Sequence, residues 1–273
     1  MAYNWIDPKA HSINAILLMD KWMLEHLLGI KNQDGLYSDE DYRYHLAIVI
    51  SQNPHIEWYI LHKCEEALPI IKTLKTIVPK YLNAAMIEES YLTFLKTIET
   101  YLVYVYPKIM ANLDYIKKWN PNKLLELTNF TDKIVLDIGS GTGRLAFAVA
   151  QKAKHIYAVE PVDALRTYMR KYAADNGINN ITIVDGTIEQ IPYPDNTFDI
   201  VMSAHVMGDD YKKEYQEMTR VLKRPGILID CPGEDGLERS YHEQNLEKLG
   251  FTMHTYKDSS GITVPRAIKY ITK

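Results

Sequence analysis

A carboxylate and three glycines lie close together near the middle of the chain. Asp137 precedes the segment Gly139-Ser140-Gly141-Thr142-Gly143, which has the spacing G-x-G-x-G. Glycines at this spacing allow a tight turn whose backbone approaches a ligand closely, and the spacing differs from the G-x-G-x-x-G of dinucleotide-binding folds. A carboxylate ahead of the turn repels a pyrophosphate and attracts an ammonium group, such as the amino-acid end of a cofactor. The pattern therefore predicts a binding loop for a ligand with a cationic end.

A second carboxylate follows the next apolar run. Glu160 comes directly after Ile156-Tyr157-Ala158-Val159. In nucleotide-binding α/β folds, a carboxylate at the end of the second strand accepts hydrogen bonds from ribose hydroxyls. Asp137 and Glu160 together therefore predict a site for a nucleoside that carries an ammonium group.

Alternating strands and helices must position these residues. Short, branched-rich apolar runs at 133–138, 155–159, 181–184, 198–203 and 226–230 alternate with helical patterns at 144–152, 162–176 and 212–222. This alternation predicts a parallel sheet that is buried on both faces. The last two runs, 251–257 and 266–272, are joined by too few residues for a crossover helix, so they should form an antiparallel hairpin. The predicted fold is α/β, a Rossmann-like, mostly parallel seven-strand sheet.

The N-terminal part has a different pattern. From about residue 10 to 120 the apolar residues recur at helical spacing, and all four tryptophans precede residue 125. Ser38, followed by three acidic residues, is the expected N-cap of one of these helices. We predict an α-helical domain at 1–124 that covers the substrate or forms a dimer surface, and a ligand-binding domain at 125–273.

Composition excludes several classes of protein. Lys and Arg number 31 against 35 Asp and Glu, a net charge of −4, which disfavours an obligate nucleic-acid binder. Two cysteines are too few for a disulfide framework or a thiolate zinc site. No secretory signal is apparent at the N-terminus, and uncharged stretches are shorter than a membrane helix requires. We expect a cytoplasmic protein with no membrane partner, as a monomer or a homodimer.

Four segments in this order resemble the class I S-adenosylmethionine-dependent methyltransferases. They are the D-x-G-x-G-x-G loop, the acid after the second strand, the stretch 184–199 and the turn 220–226. The resemblance covers roughly residues 125–273 and implies S-adenosyl-L-methionine as the cofactor. It implies that Asp137 and the loop backbone hold the methionine part and that Glu160 holds the ribose.

The resemblance implies further binding residues. The complete set of cofactor-binding residues that we expect is Asp137, Gly139, Ser140, Gly141, Gly143, Glu160, Pro161, Gly186, Thr187, Ile188, Ser203 and Ala204. Thr187 and Ile188 correspond to the residues that flank the adenine, although the family commonly has Asp where Thr187 stands. Ser203 and Ala204 correspond to the residues beside the sulfonium.

Candidate bases follow the fourth and fifth strands. His205 is the most attractive of them, since imidazole ionises near neutral pH, and the alternative is that it only packs against the cofactor or a helix. Asp209 is a second catalytic candidate. Asp209 and Asp210 could also bind a divalent metal, but capping of the next helix is the favoured role of this pair. We therefore expect no metal site. Glu234 and Asp235 follow the fifth strand. Cys231 is expected to be a buried strand cysteine rather than a nucleophile.

The predicted function is methyl transfer from S-adenosyl-L-methionine to the oxygen, nitrogen or sulfur of a small molecule. The alternatives are an RNA or protein methyltransferase and a cofactor-binding regulatory protein without catalysis. The near balance of basic and acidic residues disfavours an RNA substrate.

Overall fold

The chain folds into two compact units. The computed structural model of the protein describes residues 4–31, 35–231, 240–257, 261 and 263–272. The units are Met1–Ile109 and Met110–Lys273. The boundary expected at 124/125 therefore lies inside the second unit. The reason is that Trp119 and Leu124 belong to the same buried apolar cluster as Val135 of the sheet.

The first unit is helical in the part of it that the structure describes. Its helices are α1 (Lys21–Leu27), α2 (Glu40–Gln52), α3 (Pro54–Lys63), α4 (Leu68–Thr76), α5 (Ala84–Thr97) and α6 (Glu99–Val105). Short 3-10 turns occupy Pro8–Ala10, Ile13–Leu18, Leu36–Ser38 and Glu65–Ala67, and α7 (Pro107–Ala111) crosses the boundary. The N-cap of α2 is Asp39, whose side chain accepts from the amides of Asp41 and Tyr42, whereas Ser38 donates to the carbonyl of Gly35.

The second unit carries a seven-stranded sheet. Its elements in chain order are α8 (Asp114–Lys117), α9 (Asn122–Leu125), β1 (Ile134–Ile138), α10 (Arg144–Val149), β2 (His155–Val159), α11 (Asp163–Asp175), β3 (Ile181–Val184), β4 (Phe198–Ser203), α12 (Tyr211–Val221), β5 (Leu222–Asp230), α13 (Ser240–Lys248), β6 (Thr252–Lys257) and β7 (Thr263–Ile271). The strand order is β3-β2-β1-β4-β5-β7-β6. β1 to β5 are parallel and β7 is antiparallel to β5 and β6, which confirms the predicted fold class.

Alternation along the strands divides the core between the two faces of the sheet. Val135 packs with Leu145 and Ala146 of α10 on one face. Its neighbour Leu136 packs on the other face, with Met218 of α12. Successive strand side chains point to opposite faces, so a strand covered on both sides must be apolar throughout. This is why β1 is a continuous apolar run interrupted only by Asp137.

Two features differ from the pattern in the sequence. β5 begins at Leu222, directly after α12, rather than at 226. Helix α13, which precedes β6, has no counterpart among the predicted helices. Its residues are mostly polar, and its Leu246 is fully buried.

The topology places a crevice at one edge of the sheet. The chain runs from β1 through β2 to β3 on one side, then returns to place β4 on the other side of β1. Open α/β sheets bind ligands outside the carboxyl ends of the strands at such a reversal of order. Among the described residues, no helix combines the length and the apolar character that crossing a membrane requires.

Candidate active site

Asp137 lies in β1 on the face that α10 covers. Its Oδ2 accepts a hydrogen bond from the amide of Ala146 at 3.0 Å. Its Oδ1 is buried and has no hydrogen-bond partner among the described residues. Burial raises the pKa of this carboxyl to about 7, against the opposing effect of the Ala146 amide. The charge of Arg144 opposes part of this effect of burial, but an Oδ1 without a hydrogen bond still favours a cationic or hydrogen-donating ligand.

The glycine loop turns sharply beside Asp137. Gly139 has φ +62°, and a Cβ at this position would lie 2.2 Å from Cγ2 of Val206 in the segment after β4. Gly141 has φ +57°, and among the described residues a Cβ there would meet only Cε of Met110 within 4 Å, at 3.5 Å. Gly139 is therefore needed for packing, whereas Gly141 has an open side toward which a ligand can approach.

The other loop residues hold the turn together. The hydroxyl of Ser140 is buried and donates to the carbonyl of Asp137 at 2.8 Å. The amide of Gly143 donates to the carbonyl of Ser140, and α10 begins at the next residue. The amide of Ser140 donates to the carbonyl of Val159 at 3.1 Å, so the side chain, the amide and the carbonyl of Ser140 all form hydrogen bonds within the protein.

Glu160 connects the glycine loop to the end of β2. Its Oε2 accepts from the amide of Gly141 at 2.8 Å and its Oε1 from the amide of Val162 at 3.0 Å. Burial raises its pKa to about 7 as well. Each carboxylate oxygen has a second lone pair, so Glu160 retains the capacity to accept from ligand hydroxyls. Pro161 follows it, outside the strand.

The segment after β3 closes the same edge of the sheet. Gly186 lies against Pro192 and Val159, since a Cβ there would approach both at 2.8 Å. Thr187 is half-buried and forms an isolated bridge with Gln190, and Ile188 is buried in the apolar cluster of the α12 face. Ile188 thus contributes an apolar surface, and Thr187 contributes one hydroxyl, near the end of β2.

Ser203 ends β4 next to β1. It pairs in register with Ile138, which places it beside the start of the glycine loop. Its side chain is fully buried and donates to Oδ1 of Asp230 at 2.7 Å. The Ser203 hydroxyl is therefore directed into the protein, and Ala204, half-buried, is the first residue of the segment that leads to α12.

His205 and Asp209 are exposed residues of that segment. His205 has φ +60°, a left-handed conformation that few residues other than glycine adopt, and its ring lies 5.6 Å from that of Tyr115. The candidate base is thus accessible to an acceptor. Glu234 and Asp235 lie outside the described residues.

Glu214 organises the segment between β4 and α12. It is buried, and its two carboxylate oxygens accept from the amides of Gly208, Asp209 and Asp210. Asp210 in turn caps α12 by accepting from the amide of Lys213. Within the described part of the chain, no group of three or more His, Cys, Asp or Glu side chains is arranged to hold a metal ion.

Comparison with known proteins identifies the domain that contains this site. Residues 135–226 match the family described as a methyltransferase domain. The chain shares its fold with an S-adenosylmethionine-dependent methyltransferase from Aquifex aeolicus, with a TM-score of 0.52 at 19% identity over 62% of this chain and 98% of that one. Residues 135–226 thus match a methyltransferase domain, and the seven-stranded sheet that contains them has the fold of the Aquifex aeolicus protein.

The similar proteins are longer than the part they share with this chain. The uncharacterized methyltransferase YcgJ of Bacillus subtilis is 34% identical over 101 residues, which are 35% of this chain and 40% of that protein. The histone-arginine methyltransferase CARMER of Drosophila erecta is 27% identical over 194 residues, which are 67% of this chain and 36% of that protein. The matched part therefore spans less than half of each relative.

The second unit also contains polar residues that are not among the predicted site residues. They are Glu214, Asp230, His242 and Tyr211. Asp230 is a carboxylate at the end of the apolar run of β5. Glu160 has a similar position after β2, so the same sequence pattern indicates both residues as candidate site residues. His242 lies on the helix that was not predicted, and Cys231, after β5, is buried with its pKa raised by burial to about 12. Burial thus keeps the Cys231 thiol protonated.

The different roles of Asp209 and Asp210 at the start of α12 can be tested by mutation. Asp210→Ala should lower the free energy of unfolding by about 1 kcal/mol, because it removes the side-chain acceptor at the N-cap. Asp209→Ala, one residue earlier and exposed, should leave it within about 0.5 kcal/mol. Urea denaturation of both variants measures the difference, and equal losses would show that Asp210 does not act as the cap.

Proposed function

We propose that the protein transfers the methyl group of S-adenosyl-L-methionine to a small-molecule acceptor. The buried Oδ1 of Asp137, which has no hydrogen-bond partner among the described residues, carries this proposal together with the open side of Gly141 in the following loop. The methionine ammonium group would bind at Asp137, and the carboxyl group would lie on the open side of Gly141. Glu160 would accept from the ribose hydroxyls, as a carboxylate after the second strand of a nucleotide fold does.

The remaining expected binding residues complete the proposed site. The adenine would lie beside Gly186, Thr187 and Ile188, where the floor is apolar. Ser203 and Ala204 would border the reacting end through their backbone, because the Ser203 hydroxyl is directed at Asp230. When bound, the cofactor supplies an activated methyl group whose carbon bonds to the acceptor atom while the sulfur keeps the electron pair of the broken bond. The chain has to align the acceptor and exclude water.

A small acceptor is the first candidate because of the chain's charge. A net charge of −4 gives no general attraction for a polyanion. We propose that the N-terminal residues, 1–124 in the sequence prediction, cover the acceptor or form a dimer surface. Cytoplasmic location and the monomeric or homodimeric state remain predictions.

A protein acceptor is the second candidate. The match to the histone-arginine methyltransferase CARMER covers 67% of this chain, and a match to the protein arginine N-methyltransferase 8-B of Danio rerio reaches 42% identity over 76 residues. An arginine side chain would need a carboxylate near the reacting end. Asp209 is an exposed carboxylate in the segment after β4, whereas the oxygens of Glu214 are occupied by three amides.

Label transfer separates the two candidates. The purified chain is incubated with methyl-tritiated S-adenosyl-L-methionine and, in parallel, a metabolite extract, an arginine-rich peptide pool and total RNA. The proposal expects label in a small-molecule product. Label confined to peptides would assign the protein candidate. Calorimetric binding of S-adenosylhomocysteine without transfer in any pool would assign a cofactor-binding protein without catalysis.

Glu160→Gln tests the ribose contact. The variant should bind S-adenosylhomocysteine about tenfold more weakly, because a neutral amide accepts from hydroxyls less strongly than a carboxylate. Glu88→Gln, an exposed residue of α5, is the control with the same change of charge. Calorimetry at one ionic strength gives both affinities. Equal affinities of the two variants would remove Glu160 from the cofactor site.

A further inference from the structure

Four side chains of the second unit form hydrogen bonds in series at the carboxyl ends of β4 and β5. Ser203 donates to Oδ1 of Asp230 at 2.7 Å. Nε2 of His242 lies 2.8 Å from Oδ2 of the same carboxylate. The hydroxyl of Tyr211 lies 2.8 Å from Nδ1 of His242. The series thus connects the sheet edge to the first residue of α12.

The series leads from the buried interior toward a more accessible end. Ser203 and Asp230 are fully buried, the His242 side chain is 13% exposed, and Tyr211 is half-buried. Ser203 and Asp230 are therefore closed to a ligand, whereas His242 and Tyr211 are partly accessible. Three separate elements, β5, α13 and α12, contribute Asp230, His242 and Tyr211, so the arrangement is fixed by tertiary packing.

The direction of the hydrogen bonds follows from the chemistry of the groups. A carboxylate has only acceptor atoms, so Asp230 accepts from the Ser203 hydroxyl and from Nε2 of His242. A neutral imidazole with its proton on Nε2 has an acceptor at Nδ1. The Tyr211 hydroxyl then donates to Nδ1. A phenol held by a basic nitrogen in this way is prepared to lose its proton.

The position of the series relates it to the proposed reaction. Asp230 pairs in register with Ser203, and Ser203 pairs with Ile138 at the start of the glycine loop. Neighbouring strands lie about 4.8 Å apart, so Asp230 is about 10 Å from β1 across the sheet edge. Asp137 and Glu160 occupy the ends of β1 and β2, which leaves the β4 and β5 side of the crevice for the acceptor.

We propose that Tyr211 is the general base for the methyl acceptor and that His242 and Asp230 position it and take up its proton. The inference rests on the proposed function and names the acceptor class as a hydroxyl or an amine, since these must lose a proton on methylation. As the acceptor atom bonds to the methyl carbon, its proton moves to the Tyr211 oxygen. The phenolic proton of Tyr211 moves to Nδ1 of His242, and Asp230 stabilises the resulting imidazolium.

The tautomer of His242 tests the series without any acceptor. The nitrogen-15 NMR spectrum of the S-adenosylhomocysteine complex should show His242 protonated at Nε2, with Nδ1 as a hydrogen-bonded acceptor. Tyr211→Phe should shift the Nδ1 resonance, and Asp230→Asn should remove the preference for the Nε2 proton. A neutral His242 protonated at Nδ1 would overturn the proposal, because Tyr211 would then have no base.

Label transfer at saturating S-adenosyl-L-methionine tests the use of the series in the reaction. Tyr211→Phe and His242→Ala should each lower the rate of transfer to the metabolite extract about 100-fold, the usual scale for loss of a general base. Their affinity for S-adenosylhomocysteine should stay within about twofold of the wild type, since a base on the acceptor side stabilises only the transition state. Added imidazole should restore part of the activity of His242→Ala but not of Tyr211→Phe.

Tyr241→Phe and His254→Ala are the matched controls, since both residues are exposed in the same unit and lie outside the series. Both should retain wild-type transfer. A Tyr211→Phe variant with wild-type transfer would overturn the role of Tyr211. If the wild type itself transfers no label to any pool, the proposed function fails, and the His242 tautomer alone decides whether the series has the proposed direction.

Discussion

Asp137→Asn should lower the affinity for S-adenosylhomocysteine by about 10- to 100-fold, the scale of a lost charge-assisted contact in a buried site. The amide oxygen of the variant can still accept from the Ala146 amide, so the loop should keep its position. What the variant loses is the negative charge at the buried Oδ1, which would pair with the ammonium group of the ligand. Calorimetry at pH 8 measures the change. An affinity within about twofold of the wild type would contradict the cofactor assignment.

The affinity of the wild type for S-adenosylhomocysteine should depend on pH. Burial raises the pKa of Asp137 to about 7, whereas an unfolded chain has a pKa of about 3.9 for this group. Because the ammonium group binds the carboxylate form, the wild-type affinity should rise between about pH 6 and pH 8, with release of a proton. Calorimetry in buffers of different ionisation enthalpy measures that proton. Asp137→Asn should release less of it, and the remainder should come from Glu160, whose pKa is also raised to about 7.

The effect of Asp137→Asn on the stability of the ligand-free protein should be opposite to its effect on ligand binding. A carboxyl group with a raised folded-state pKa contributes stability that is complete below its unfolded pKa and is lost as the pH rises through the folded value. For Asp137 that loss falls between about pH 4 and pH 7. Without ligand at pH 8, Asp137→Asn should therefore be more stable than the wild type, by up to about 4 kcal/mol in urea denaturation. At pH 4 the two should differ little. If Asp137→Asn is less stable than the wild type at both pH values, other groups of the protein already compensate the negative charge of Asp137.

The positions of Asp137 and Glu160 could be predicted from the sequence because each is defined locally. A branched-rich apolar run fixes a strand, and the residue at its carboxyl end must lie at the edge of the sheet where the next loop begins. The predicted ends of β2, β3 and β4 agree with the structure for this reason. The glycine spacing adds the turn without any information from distant parts of the chain.

The direction of the Ser203 side chain could not be predicted in the same way. The sequence places Ser203 at the end of β4, but its hydroxyl turns toward Asp230, a residue of another strand. The other hydrogen-bond partner of Asp230 is His242, which lies on a separate helix of mostly polar residues. The N-cap of α2 shows the same limit on a smaller scale, because Ser38 and Asp39 are both good caps and only the local backbone selects Asp39.

The requirement for glycine at position 139 combines a backbone effect with a packing effect. Gly139 and Gly177 both have left-handed φ values, +62° and +66°. A Cβ at Gly177 would meet no atom of the described residues within 4 Å, whereas a Cβ at Gly139 would lie 2.2 Å from Cγ2 of Val206. The two positions therefore share the cost of a left-handed alanine and differ in the clash with the segment after β4.

Gly177→Ala should lower the free energy of unfolding by about 1–2 kcal/mol, the cost of a left-handed conformation alone. Gly139→Ala should lower it by about 2–5 kcal/mol, since overpacking adds about 1–3 kcal/mol to the same conformational cost. The Gly139→Ala, Val206→Ala double variant should regain part of the difference, because the nearest remaining atom, Cβ of Val206, would lie 3.3 Å away. Urea denaturation of the three variants separates the cost of the left-handed conformation from the cost of the clash with Val206. Because the displaced loop carries the Gly141 amide that Glu160 binds, Gly139→Ala should also weaken S-adenosylhomocysteine binding, whereas Gly177→Ala should not. Equal stability losses at the two glycines would mean that the Val206 segment moves without cost and does not fix the loop.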